Sequence, residues 1–220
     1  MLRRLAALGI ASAMLAGCSV FGVRSDLEMP KYEVVAKLGE DLEVRRYAER
    51  VAAEATVTAD SYSGGQRRAF GLLFDYIKGA NKGSREVAMT APVETDSRGA
   101  EIAMTAPVET GAAEKAEGGK TRVTMRFLLP AKFTPETAPV PTHPNLRLTT
   151  LEPETMAVLR FSGFGGRESV RNKRAELKQR LAKTAWHPKG EMISMFYDPP
   201  WTLPFFRRNE VAVRASKAQS

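Results

Sequence analysis

One order of elements runs through this 220-residue chain twice, and no other feature narrows its fold so far. Period-two alternation marks strands at Tyr32–Leu38, Leu42–Tyr47 and Val51–Val57. Ser63-Gly64-Gly65 breaks the alternation, and Gln66–Lys78 reads as a helix. Phe70, Leu73, Phe74 and Ile77 fall there at i, i+3, i+4 and i+7, and Gly79 supplies a C-terminal stop. Thr121–Leu129 is a strand with Val123, Met125, Phe127 and Leu129 on one face and Arg122, Thr124 and Arg126 on the other. After a loop over 130–145 that carries five prolines the order returns: strands at Leu146–Leu151 and Thr155–Phe161, then Gly165-Gly166. A helix over Glu168–Lys183, with Val170, Leu177 and Leu181 inward, and a strand at Glu191–Tyr197 complete it. The two Gly-Gly pairs lie 101 positions apart. Neither half holds enough apolar residues to bury a core alone, so the expected fold class is α+β, a duplicated unit whose halves share one sheet.

A second, closer echo lies inside the first half. Val87–Thr95 recurs as Ile102–Thr110, differing only in its first residue. Two copies are too few for a solenoid, so a hairpin joined through Asp96–Gly99 is expected, with Pro92 and Pro107 at strand ends, bulges or an edge.

The N-terminal segment reads as an address. Arg3 and Arg4 precede a 12-residue apolar stretch, Leu5–Ala16, which is too short to span a bilayer as a helix and fits a signal peptide. It ends in Leu15-Ala16-Gly17-Cys18, which resembles the bacterial lipobox. That resemblance implies acylation of Cys18 and, with Ser19 following, anchorage in the bacterial cell envelope at the outer membrane, facing the periplasm. The expected organisation is a signal peptide over 1–17, a lipidated tether over 18–31, one domain over 32–215 and a tail over 216–220. Removing 1–17 takes away two arginines and no acid, so the formal charge falls from +8 to +6. That charge suits anionic headgroups or carboxylate ligands. No nucleic-acid motif accompanies it.

Several motifs in order resemble the SOUL heme-binding protein family. They are Tyr76-Ile77-Lys78-Gly79-Ala80-Asn81, both Ala-Met-Thr-Ala-Pro-Val segments, Phe127-Leu128-Leu129-Pro130, Gly163-Phe164-Gly165-Gly166, Tyr197-Asp198-Pro199-Pro200 and Arg207-Arg208-Asn209-Glu210-Val211. They run from about Tyr32 to Val213. The resemblance implies a pseudo-twofold α+β fold, a twisted antiparallel sheet or open barrel carrying two helices, as in bacterial effector-binding domains. It also implies non-enzymatic binding of heme or another tetrapyrrole in an apolar groove beside the first helix, by Arg67, Phe70 and Phe74, with a loop at Trp201 closing the other side. A large apolar disc with two carboxylates suits aromatic contact area and Arg pairing. The chain departs from the family twice. No His precedes His143, so an upstream iron ligand is absent, and Thr202 stands near the place of a propionate-contacting Lys.

The residues themselves leave alternatives open. Phe70 and Phe74 belong to the core if the sheet covers them, which would favour a partner-binding lipoprotein without a small ligand. A general effector-binding module for amphipathic molecules is another reading. Gly64-Gly65 offers backbone N–H groups to an anion. His143 and His187 are candidate iron ligands, Met89 and Met104 read as core fillers, and no structural metal is expected. The basic second helix (Arg171, Lys173, Arg174, Lys178, Arg180, Lys183) is a solvated face or a lipid-facing one. Arg207 to Glu210 reads as a structural clamp. The single Cys, lying in the lipobox, and the absence of a Gly-x-Ser-x-Gly elbow give no catalytic constellation.

Overall fold

Strand alternation and helix periodicity become fourteen elements in the computed structural model, which describes residues 27–83, 99–111 and 113–218. The strands are β1 (Tyr32–Lys37), β2 (Leu42–Tyr47), β3 (Arg50–Ala59), β4 (Asn81–Lys82), β5 (Val108–Thr110), β6 (Glu114–Lys115) and β7 (Thr121–Leu128) in the first half. In the second half are β8 (Val140–Pro141), β9 (Leu146–Leu151), β10 (Glu154–Phe161), β11 (Trp186–Phe196) and β12 (Asn209–Lys217). The helices are α1 (Tyr62–Ile77) and α2 (Arg167–Leu181). The large sheet is antiparallel and unclosed, in the order β1-β2-β10-β12-β11-β5-β7-β3-β9, with β6 paired to β7.

That order carries the duplication. From β2 to β9 it reads the same from either end once β2, β3, β5 and β7 are equated with β9, β10, β11 and β12. The pseudo-twofold axis therefore passes between β5 and β11. Each half lends strands to the other: β2 pairs with β10, and β3 with β9. A shared sheet is what two half-cores of this size require. β5 lies within the segment Ile102–Thr110 that the pattern predicts as a strand, whereas β12, the second-half equivalent of β7, is the strand the pattern omits.

Both helices lie on one face. α1 buries Ala69, Leu73, Tyr76 and Ile77 with Val123, Met125 and Phe127, while α2 buries Leu177 and Leu181 with Leu159, Val211 and Val213. α1 begins one turn earlier than the alternation predicts. Ser61 caps it by accepting a hydrogen bond from the Gly64 N–H at 3.2 Å, so Ser63-Gly64-Gly65 is the first turn rather than a break. Gly65 is there for approach: a Cβ would stand 2.6 Å from Val123 Cγ2. In the second Gly-Gly pair it is Gly165, the first residue, that allows a close approach, to the ring of Phe196. α1 ends on a Schellman arrangement, Ala80 N–H to Asp75 O and Gly79 N–H to Tyr76 O, with Gly79 at φ +109°.

The first of the paired segments, Val87–Thr95, lies outside the described residues with residues 96–98 of the expected hairpin turn, as does the expected signal peptide with Cys18. In the second copy only Val108–Thr110 is strand, and Pro107 immediately precedes it. This short strand joins the halves, pairing with β11 on one side and β7 on the other. Within the expected tether, Glu28 bridges to Thr105, and its carboxylate accepts the Ala131 N–H at 2.7 Å. Among the described residues no helix is long and apolar enough to cross a membrane.

Candidate functional site

The apolar stripe of α1 divides in two. Leu73 is fully buried and Ile77 nearly so, but Phe70 and Phe74 are 39% and 40% exposed. Their rings stack at 6.1 Å with 13° between planes, and Phe70 stands edge-on to Phe127 at 5.4 Å. The stripe is therefore not wholly core. It leaves an aromatic shelf on one flank of the helix, and Arg67, exposed and one turn before Phe70 and two before Phe74, projects from the same flank.

Trp201 sits in the loop between β11 and β12 and is 64% exposed. The loop leaves β11 at Phe196, whose register partner is Val108; Val108 in turn pairs with Phe127, beneath Phe70. Phe164 and Phe205 are similarly exposed, and the two turns that carry them meet through the Gly163 N–H to Pro204 O bond. Arg207 stiffens the loop, donating to the carbonyls of Thr202 and Pro200 and standing over the Phe164 ring. Thr202, near the place where the family resemblance implies a Lys, is 1% exposed.

The histidines are elsewhere. His187 lies near the start of β11, nine residues from Phe196, or about 30 Å along an extended strand. His143 accepts the Asn145 N–H through Nδ1. Its loop is tied to α1 through the Tyr76 hydroxyl, which donates to Pro139 O, and Tyr76 points about 160° round the helix from Phe74. Neither histidine reaches the shelf. Among the described residues no group of three or more His, Cys, Asp or Glu is placed to hold a metal ion. The shelf thus fits the flat apolar body and acidic edge of a tetrapyrrole, without a histidine for its iron. Met104 is partly exposed rather than core; Met89 lies outside the described residues.

Beside the shelf a cleft of about 800 Å³ separates the first turn of α1 from α2. Its floor is the register pair Thr110 and Ser194, so it lies on the pseudo-twofold axis. Tyr62 and Gln66 form one wall and Val170 and Arg174 the other, with Phe196 at the end. The basic composition of α2 puts Arg174 on a solvated or lipid-facing surface, whereas the structure turns it into the cleft. A signal was available: Arg174 shares the inward spacing of Val170, Leu177 and Leu181. Other cations of that face do point outward, Arg180 to Asp41 at 2.8 Å and Lys173 to Glu176 at 2.8 Å.

The opposite face of the sheet is charged and largely paired. Glu210, fully buried, accepts from Arg45 at 3.0 Å, Arg208 at 2.7 Å and the Tyr197 hydroxyl at 2.7 Å, so the Arg207–Glu210 stretch is a clamp. Burial alone would lower the Arg45 pKa, but the Glu210 carboxylate raises it above the ordinary value. Burial, then Glu210, pushes the Tyr197 hydroxyl well up, and burial brings Tyr47 to about 12. Glu54 binds Arg126 and Arg147. Buried Glu109, its pKa raised by desolvation, has Arg50 at 3.8 Å. These ties make this face, with its open cavity of about 750 Å³, a framework of paired charges that runs from buried Glu54, Glu109 and Glu210 out to exposed Arg147 and Arg214.

The fold has known counterparts. The chain resembles the C-terminal domain of EcmrR, with 14% identity and a TM-score of 0.57, over 85% of this chain and 99% of that one. It resembles a hydrolase from Listeria innocua at 10% identity and TM-score 0.54, and an uncharacterized conserved protein from Listeria innocua at 11% and 0.54; each match covers 80% of this chain and 92% of the other. At such identities the likeness concerns the fold alone. No curated protein matches the chain. Its sequence matches the SOUL heme-binding protein family over residues 27–214, which is every strand and helix described above except the end of β12. The chain belongs to the SOUL heme-binding protein family.

Proposed function

We propose that this chain binds heme or a related tetrapyrrole without enzymatic turnover, and that it buffers, carries or sequesters the ligand in the bacterial cell envelope, anchored through Cys18. The observation that carries the reading is the aromatic shelf: Phe70 and Phe74 stack on each other at the surface, beside Arg67, although apolar partners lie within reach in the same helix. Such a pair offers flat contact area to a ring system, and a guanidinium next to it pairs with a carboxylate. Trp201, on the loop that follows Phe196, covers the far side of the ligand. A bound heme would supply the iron and its redox chemistry; the chain supplies surface, charge and exclusion of water.

Hemin titrated into the full chain, followed at the Soret band, tests this. A saturable shift near one equivalent is expected, retained by iron-free protoporphyrin because neither histidine reaches the shelf. Phe74→Ala and Arg67→Ala should each weaken it several-fold. Titrations unchanged in both variants would reject the site, and no saturable shift in the parent chain would reject the ligand.

A further inference from the structure

Arg45, Arg50, Arg126 and Arg208, all drawn largely out of water, each meet a carboxylate. Arg207 is held by two carbonyls. Arg174 has neither arrangement. It stands in the cleft between α1 and α2, half-buried, with Nη2 donating to Ser194 Oγ at 3.0 Å. Its Nε–H is fully buried and has no partner, and no carboxylate among the described residues lies within 4.0 Å of it. Ser194 itself is 1% exposed, so the contact that orients the guanidinium is a buried one. Burial lowers the pKa of this arginine, and the electrostatic pull of Tyr62, then of Glu191, does not restore it. A desolvated guanidinium without a carboxylate is unfavourable in the empty protein, and an anion in the cleft would offset that cost by pairing with its charge.

The surroundings agree in sign. The cleft is lined by Arg167, Arg171 and Arg174 against one acid, Glu168, which is exposed and meets Arg171 only at 3.9 Å. Gly166, the N-cap of α2, brings no side chain to the first-turn N–H groups, so the positive end of the helix also faces this space. The other lining residues are neutral: Val170, Phe196 and the ring of Tyr62 are apolar or aromatic, and Ser63, Gln66, Thr110 and Ser194 are polar and uncharged. Gln66 in the cleft, Phe70 and Phe74 follow one another at four-residue steps along α1, and Phe196 at the end of the cleft leads through the pairs Phe196–Val108 and Val108–Phe127 to the Phe70 ring, so the shelf adjoins the cleft.

We propose that the inter-helix cleft is a carboxylate site, with Arg174 as its ion-pairing residue, for a flat amphipathic ligand whose apolar body lies along the Phe70–Phe74 shelf. It rests on the tetrapyrrole reading only for the identity of that ligand, since a fatty acid or an arene carboxylate presents the same head group.

The test uses the full chain with two sets of probes. The first set is 2-naphthoate, its neutral analogue 2-naphthalenemethanol, and dodecanoate. The second is protoporphyrin and its dimethyl ester. Saturable binding of 2-naphthoate but not of the alcohol is expected. Arg174→Gln should weaken it at least tenfold, while Lys178→Gln, an exposed change on the same helix, leaves it unaltered. Arg174→Gln should also weaken protoporphyrin and not its ester. Tighter binding of dodecanoate than of either ring compound would assign the head-group chemistry to a fatty acid and the flat body would be wrong. In the empty protein Arg174→Met should raise the denaturation midpoint, because it removes an unpaired desolvated cation; this readout also shows that the variants fold. Naphthoate binding indifferent to Arg174 would overturn the cleft proposal and leave the tetrapyrrole reading as it was. Arg174-dependent naphthoate binding without any porphyrin binding would keep the cleft and end the tetrapyrrole reading.

Discussion

Replacing Glu210 with Gln removes one charge from the interior and almost no volume. The Glu210 carboxylate is 0% exposed and accepts from Arg45, Arg208 and the Tyr197 hydroxyl at 2.7–3.0 Å. Gln presents one oxygen and an NH₂ group, so at least one of these donors faces another donor. Removing one partner of a buried pair costs about 3–5 kcal/mol, because a charge is left uncompensated. Two features place Glu210→Gln at the lower end. Arg45 keeps Glu43 at 2.8 Å, and Arg208 keeps the Tyr197 ring, 4.1 Å from its guanidinium. The expected loss is about 3 kcal/mol, or about 6–12 °C in Tm for a domain of this size. Urea denaturation at pH 7, followed by circular dichroism with the m-value held constant, measures it. Arg46→Ala is the control: its pair with Glu33 is 61% and 66% exposed, so it should cost under about 1 kcal/mol. A loss below about 1 kcal/mol for Glu210→Gln would refute the reasoning, because it would mean that water or a neighbour already shields both arginines.

Three further expectations follow from the same contacts. Tyr47, Tyr76 and Tyr197 have hydroxyl pKa values raised by burial, so their contribution to stability is full below about pH 10, the unfolded value, and is lost as pH climbs through the folded values. Absorbance at 295 nm should show these three of the five tyrosines titrating late and together with unfolding; all five ionising near pH 10 in folded protein would contradict it. Leu73→Ala, at a fully buried position, should cost about 3 kcal/mol, whereas Phe74→Ala on the exposed shelf should cost about 1 kcal/mol and act on binding instead. Gly65→Ala should destabilise by about 1–3 kcal/mol in a thermal melt, since the new Cβ meets Val123 Cγ2 at 2.6 Å and pushes α1 off β7; an unchanged melting temperature would show that the helix has room to shift.

Local periodicity made much of the fold legible. Alternation at Val123, Met125, Phe127 and Leu129 needs one buried face, and Val170, Leu177 and Leu181 define the inward stripe of α2, whatever the rest of the chain does. The repeated order of elements implied a shared sheet, since neither half could cover its own core. What periodicity could not say is where each apolar face ends. Phe70 and Leu73 have the same spacing signature, yet Leu73 lies over the sheet and Phe70 at its border, because the position of α1 on β7 is set by Gly65. Strand partners were hidden for a similar reason. Three residues, Val108–Thr110, are too few to show a period, and they become a strand only because β11 and β7 stand on either side.

The sequence by itself determined which residues must be inside, the two-fold order of elements, and the family to which the chain belongs. Tertiary structure alone decided that β5 and β11 meet on the pseudo-twofold axis, that two first turns face each other across a cleft, and that Arg174 stands in it without a carboxylate. Burial preference is a property of each side chain and its neighbours three or four residues away. A cleft between two helices is a property of residues about a hundred positions apart, and nothing in the local pattern of either helix records its distance from the other.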